Sequence, residues 1–359
     1  MDMSLSSEPG HPTPDAGTAP VSTASKADRS SRKWIRRRIA QLDPYVDYRE
    51  IWALSYIYNV TDFDLHWAYT VDNCHLGLTT WGADASYRDG TGAMMVRGEQ
   101  RMANTNDHML LWSEHGPDSP ITKQAIDIVN KQHAQWAKYY NGAFSHSEDY
   151  IYLFAAAATA EHDYKRSLGL PGWSEKQKIA SHLFWSELAK LFRVESGEVL
   201  TDVEPMPESF EACSEYARAY TERPWPDNTA IGLPFSERLI EQFLAVWFPY
   251  RVMRPFGRAL ITTFFAPTLF RIYQLEEPNW VLRTLARGFA AAKYIYRDYI
   301  RADQKEPITE RHRQKAAAGT YKASYIDSLI HRVGRKQNPT ASGCPFHGPV
   351  PVQRDLASS

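Results

Sequence analysis

Residues 148–169 read EDYIYLFAAAATAEHDYKRSLG, and the period of this stretch decides the fold. Ile151, Ala155, Thr159 and His162 recur at spacings of four, four and three, which places them on one face of a helix. The four consecutive alanines leave room beside that face for a neighbouring helix or a flat ligand to come close. Gly169 is placed to end the helix, because a residue without Cβ accepts the left-handed conformation of a C-cap. Five residues on, Ser174 with Gln177 forms the pattern of a capping box, and Ala180, Phe184, Leu188 and Leu191 give the next helix a buried stripe.

Outward from this pair the same period persists. From Asp43 to about Arg332 there is no alternating β-branched run and no Asn-Gly or Asp-Gly hairpin turn between apolar stretches, so the class is all-α. Loops are expected at GADASYRDGTG (82–92), at EPMPES and at ERPWPDNTAIGLPFS. The last two divide the helices into a large N-terminal and a smaller C-terminal set. The Pro-, Ser- and Ala-rich start reads as a disordered tail over 1–31, a single helical domain follows over 32–335, and residues 336–359 read as an extended tail.

The 359 residues, 43% apolar and 13% aromatic, are ample for a large core. Forty-one basic against forty-two acidic residues leave a net charge of −1, which excludes a general attraction to nucleic acid. Three scattered cysteines, Cys74, Cys213 and Cys344, neither frame a disulfide scaffold nor bind structural zinc, and the start lacks a signal-peptide pattern, so a cytoplasmic setting is expected. No run reaches the roughly 18 apolar residues of a bilayer span, the nearest being ALITTFFAPTLF, which reads as core. The basic patch RKWIRRRIA reads as a solvated helix end. Contact with anionic lipid at the membrane periphery stays open.

Three helices carry chemistry. In KQHAQWAKYY (131–140) and the residues before it, Ile126, Val129, His133, Trp136 and Tyr140 form one apolar stripe, so His133 points inward. A buried imidazole either satisfies both nitrogens with hydrogen bonds or gives one to a metal. Upstream, Arg101 and Thr105 stand four apart with Asn104 beside them, a guanidinium, a hydroxyl and a carboxamide able to hold a polar ligand or to form a solvated face. Glu161, His162 and His182 invite a carboxylate-bridged iron site, but the Glu-x-x-His repeat such sites use is absent. Cys344, before Pro345, reads as a solvated thiol.

The order of these residues resembles a family. Asp43-Pro44 with Asp47, Arg101-x-x-x-Thr105, NKQH ending at His133, the stretch 148–177 and FWSELAKLF together look like the latex-clearing rubber oxygenases and MpaB-type oxygenases. That resemblance implies a globin-like helical core, one haem b, and dioxygen as co-substrate in the oxidation of a small apolar, isoprenoid-like molecule. It places His133 as the iron ligand, Arg101, Asn104 and Thr105 on the helix covering the haem's other side, and Thr159 on the helix closing the pocket. Arg101 can alternatively pair with a haem propionate, and His162 joins the cofactor-binding candidates. Asn104 stands where rubber-cleaving members carry a lysine, so a lysine-dependent closed state is not expected. Glu99 and Asp84 are the candidates for a distal acid. The alternative is a helical carrier that binds an apolar ligand without turning it over; the oligomeric state stays open.

Overall fold

The computed structural model describes residues 28–140 and 142–319. Among these, sixteen α-helices and no strand are found, so the chain is all-α. The first group comprises α1 (Trp34–Gln41), α2 (Tyr48–Tyr56), α3 (Asp62–Leu76), α4 (Thr80–Tyr87), α5 (Ala93–Val96) and α6 (Gly98–His115). Then come α7 (Pro120–Ala137), α8 (Ser147–Ser167), α9 (Glu175–Ala189), α10 (Leu200–Val203) and α11 (Phe210–Glu222). The remainder are α12 (Thr229–Trp247), α13 (Arg254–Thr262), α14 (Pro267–Tyr273), α15 (Trp280–Ile295), continued by a π-helical turn over Tyr296–Ile300, and α16 (Ile308–Ala317). No helix is long and apolar enough to cross a membrane among the described residues.

Local chemistry explains the central helix. α8 opens with Glu148 and Asp149 and closes with Lys165 and Arg166, charges that suit the positive and negative ends of its dipole. Gly169, at φ +76°, ends it in a Schellman motif: the Gly169 N–H donates to Arg166 O and the Leu170 N–H to Lys165 O, each at 3.0 Å. The next helix starts as its sequence demands, with Gln177 Oε1 accepting the Ser174 N–H at 3.1 Å.

Two aromatic-rich cores pack on α8 from different sides. One gathers α1, α2, α6 and α9 around Trp52, Phe184 and Trp185, and takes Ile151, Phe154 and Ala158 from α8. The other joins α3 to α12, α13 and α14 around Phe235, Phe243 and Tyr273, and takes Tyr152. α3 and α12 pack together although far apart in sequence, so the expected split into N- and C-terminal sets is not how the helices pack.

Two expected loops are largely helix. GADASYRDGTG is α4 up to Tyr87, and only Arg88 to Gly90 take left-handed conformations. In ERPWPDNTAIGLPFS, α12 starts at Thr229 and runs through Pro234, because Gly232 packs on Tyr273 and the Asn228 side chain donates to Gly77 O at 2.8 Å. Tertiary contacts outweigh the local breakers. ALITTFFAPTLF is core as expected, with Ala259, Leu260, Ile261 and Leu269 fully buried. Of the expected N-terminal tail, Asp28–Ser30 form a 3-10 turn and Arg29 donates to Lys305 O at 2.8 Å. Residues 1–27 and 320–359, with the expected C-terminal tail and Cys344, lie outside the described residues.

The π turn is fastened to α8 by charge. Glu161 meets Lys165 at 2.9 Å and Arg297 at 2.5 Å, and Asp298 meets Lys165 and Arg297 at 2.8 Å each. Burial alone would raise the Glu161 carboxyl, but Arg297 and Lys165 outweigh it and hold its pKa well below the carboxylate range. Arg297→Met is therefore expected to cost about 3 kcal/mol of unfolding free energy, since it leaves buried carboxylates short of a partner. Glu161 stabilises fully above its unfolded pKa near ~4.3 and ceases to do so as pH falls through its depressed folded value. Denaturant titrations across acid pH should show wild type weakening below about pH 4, with a shallower decline in Arg297→Met.

Candidate functional site

Where the two cores fail to meet along α8, they leave a cavity of about 870 Å³, within the ~300–1,000 Å³ range of ligand and cofactor pockets. Ala156, Ala157 and Ala160 form its α8 wall, so the alanine run leaves the room its small side chains promise. Arg101, Asn104, Thr105, His133 and Thr159 all line this space. Residues from three separate helices, read individually in the sequence, therefore converge.

His162 does not join them. It follows the face of α8 turned toward α9 and α11, where its Nδ1 accepts the Trp173 N–H at 2.9 Å and its ring meets Phe210 edge-on. The turn at Gly169 brings the chain back over it, which removes His162 from the cofactor-binding set. The carboxylate-bridged alternative loses its ligands as well: Glu161 is taken by Arg297 and Lys165, and His182 Nε2 sits 2.8 Å from Pro207 O. Among the described residues, no group of three or more His, Cys, Asp or Glu could hold a metal ion.

His133 sits at the cavity wall with its ring stacked on Phe144, centroids 4.7 Å apart. Its Nδ1 is 3.2 Å from Tyr150 Oη, and no hydrogen bond reaches Nε2 among the described residues. Burial, followed by the charges of Arg101 and His108, lowers its pKa to about 4, so the ring is neutral near pH 7. Burial raises the pKa of Tyr150, which keeps its hydroxyl and can accept the Nδ1 proton. In the tautomer with the proton on Nδ1, Nε2 keeps a lone pair for a ligand; the His133 ring borders both this cavity and a smaller one of about 190 Å³.

On α6, Arg101 donates to Thr105 Oγ1, which in turn donates to Arg101 O at 3.0 Å. The Thr105 hydroxyl is thereby committed to Arg101. The guanidinium meets no carboxylate, and the Asn104 carboxamide makes no hydrogen bond, among the described residues. One turn on, His108 also faces the cavity, with a pKa lowered to about 4 by burial and by Arg101. Three buried donors on the wall have no partner among the described residues: Tyr69 Oη, Trp112 Nε1 and Trp185 Nε1. Unpaired buried donors carry a desolvation cost that a ligand acceptor would relieve.

Neither Glu99 nor Asp84 lines the cavity; the carboxyls that do are Asp72, Asp149 and Asp163. Asp149 takes the Trp81 indole at 2.7 Å and the Tyr220 hydroxyl at 2.5 Å, and Asp163 takes Ser214 at 3.0 Å. Among the described residues, Asp72 accepts only from Tyr164 Oη, at 3.1 Å. Asp72 is exposed, its carboxyl opening to the cavity beside Tyr56, Tyr152 and Tyr164, and the desolvating walls of that space raise its pKa to about 6 against the lowering by the Tyr164 bond.

Compared with models of known protein families and with curated proteins, the chain matches none. Of the residues the sequence reading passed over, His108 had a signal: it extends the Arg101, Thr105 spacing by three. Asp72 lies at the same spacing from Leu65 and Tyr69, yet only the partnering of α3 with α8 reveals what faces it.

Tyr69→Phe is expected to leave the unfolding free energy within about 1 kcal/mol of wild type or to raise it, since the lost hydroxyl has no partner. Tyr164→Phe should instead push the Asp72 pKa above about 6, by removing its one hydrogen-bond donor. Carboxyl carbon shifts followed against pH would report this; an unmoved Asp72 titration would refute the assignment of Tyr164 as its stabilising partner.

Proposed function

We propose that this protein is a haem b-dependent oxygenase that uses dioxygen on a small apolar, isoprenoid-like substrate, with the globin-like core that the latex-clearing and MpaB-type resemblance implies and the cytoplasmic setting expected from its cysteine usage and N-terminal pattern. One observation carries the reading: a neutral imidazole, its Nε2 unpaired among the described residues, lines an aromatic-walled cavity of about 870 Å³ together with Arg101, a cation without a carboxylate partner among those residues. The donor set suits a haem. His133 would hold the iron through Nε2, with Tyr150 fixing the ring through Nδ1, as the outer partners of metal-bound histidines do. Arg101 and the unpaired Tyr69, Trp112 and Trp185 donors would receive the propionates or other acceptor oxygens.

Haem b bound there would supply the activation of dioxygen. The chain's own part is to position, shield and handle protons. The aromatic wall excludes water and accepts an apolar substrate. Arg101 and Asn104 offer N–H donors where negative charge develops. Asp72, paired with Tyr164, is the carboxyl that can hold a proton at Oδ1 or Oδ2 and release it near neutral pH, and it takes the distal role for which Glu99 and Asp84 are misplaced.

The test is the visible spectrum of protein expressed with a haem precursor. A Soret band is expected that shifts on reduction under carbon monoxide, is lost in His133→Ala, and persists in His108→Ala and Tyr150→Phe. His133→Ala should remain folded, at a cost of a few kcal/mol on the order of other large-to-small changes. Unchanged haem content in that variant would overturn the ligand assignment. A colourless wild-type protein would favour the carrier of an apolar ligand.

A further inference from the structure

α15 presents an apolar face to the outside. Val281, Leu285, Phe289 and Tyr296 recur along it at spacings of four, four and seven, all exposed, and Tyr299 and Ile300 prolong the stripe onto the π turn. Trp280, at its start, is 73% exposed. Through Phe256, whose ring meets Phe289 edge-on at 5.7 Å, the stripe connects to α13 and the turn before it, where Val252 is 89% exposed. Scattered exposed apolar residues need no explanation, but a continuous aromatic and aliphatic stripe of this length marks an interaction surface.

Charge indicates what covers it. From Trp280 to Ile295 the helix has three cations and no acid; Lys293 turns inward to Asp64, which leaves Arg283 and Arg287. At the far end, Arg36 of α1 lies over the Tyr299 ring at 5.4 Å with Arg37 exposed beside it in sequence, and Arg251 stands in the exposed turn before α13. Arg36, Arg37, Arg251 and Arg287 meet no carboxylate among the described residues. Glu277 is engaged by Arg283, and Asp298 turns inward to Arg297 and Lys165. Tryptophan and tyrosine beside unpaired arginines form the pattern of a face that enters the headgroup layer of a membrane.

The position of the cavity adds a second observation. Arg287, on this same helix, lines the cavity beside Ser167, to whose carbonyl it donates. One end of the cavity therefore abuts the helix that carries the stripe.

We infer that the outer face of α15 and the π turn, with Arg36 and Arg37 at its rim, docks this protein on an anionic lipid bilayer. An apolar molecule dissolved in the bilayer is then delivered beside the cavity. The docking step needs no cofactor and no turnover, so it stands or falls apart from the haem assignment.

The test is co-sedimentation of the full chain with phosphatidylcholine vesicles, with and without phosphatidylserine. Binding is expected to the phosphatidylserine vesicles, weakening as salt rises. The double variant R36E/R37E should lower partitioning by roughly an order of magnitude or more. L285S/F289S should abolish it, with melting temperatures of both variants recorded as a folding check. Should L285S/F289S not fold, R36E/R37E decides alone, because those side chains stand outside the core. Wild type that ignores anionic vesicles, or an R36E/R37E variant that partitions as wild type does, overturns the proposal. It is equally overturned if L285S/F289S loses self-association in sedimentation velocity while keeping vesicle binding, a result that assigns the face to a second copy.

Discussion

α8 must satisfy two cores at once, and the cavity follows from that constraint. Ile151, Phe154 and Ala158 belong to one cluster and Tyr152 to the other, so large side chains anchor the helix near its start on both sides. Beyond Phe154, the run Ala155 to Ala158 has too little volume to fill the wedge between Trp185 and Phe192 on one flank and Phe264 and Tyr164 on the other. Close packing is the rule in protein interiors, and a space of about 870 Å³ can only persist if rigid walls hold it open. The aromatic stacks supply that rigidity: Trp52 on Phe184 at 5.1 Å, and Tyr164 on Phe264 at 4.3 Å.

Charge is distributed to match. The far half of α8 is fixed through Glu161 and Lys165 to the π turn, where each buried ion finds an opposite partner. Within the cavity the logic is reversed: Arg101 has no acid, Asp72 has no cation beside it among the described residues, and His133 and His108 are held neutral. Structural charge is paired and silent, whereas cavity charge is left available. Separating the two on opposite faces of one helix explains why adjacent Glu161 and His162 belong to the scaffold while Thr159 and Asp163 border the cavity.

Features governed by local geometry were legible in the sequence. The period of 148–169, the cap at Gly169 and the Ser174 to Gln177 box depend on neighbours within a few residues and are found as expected. So does the grouping of Arg101, Asn104 and Thr105, and its meeting with His133 and Thr159 followed from the resemblance in residue order. What escaped depends on distant partners. Gly232 and Gly82 read as breakers, yet helix forms through both because Tyr273 packs on the one and Thr79 caps the other. Asp72 reads as one more polar residue on α3 until Tyr164, 92 positions away, is set against it. The outer stripe of α15 has an ordinary helical pattern, and only its lack of a covering partner among the described residues distinguishes it from a core face.

A buried histidine is more often a hydrogen-bonding core residue than a ligand, and the other histidines here supply the comparison. His75 lines the same cavity, but its Nδ1 meets Val71 O at 2.9 Å and its Nε2 accepts the Ala266 N–H at 3.2 Å, so it has nothing left to offer. His66 keeps an unpaired Nε2, yet it is packed edge-on against Phe243 with Trp247 on its Nδ1, away from the cavity wall. His133 alone in this comparison combines a fixed Nδ1, a free Nε2 and an open space in front of it. Its open Nε2, on a half-buried ring beside the cavity, is what supports the proposal of a ligand role for His133.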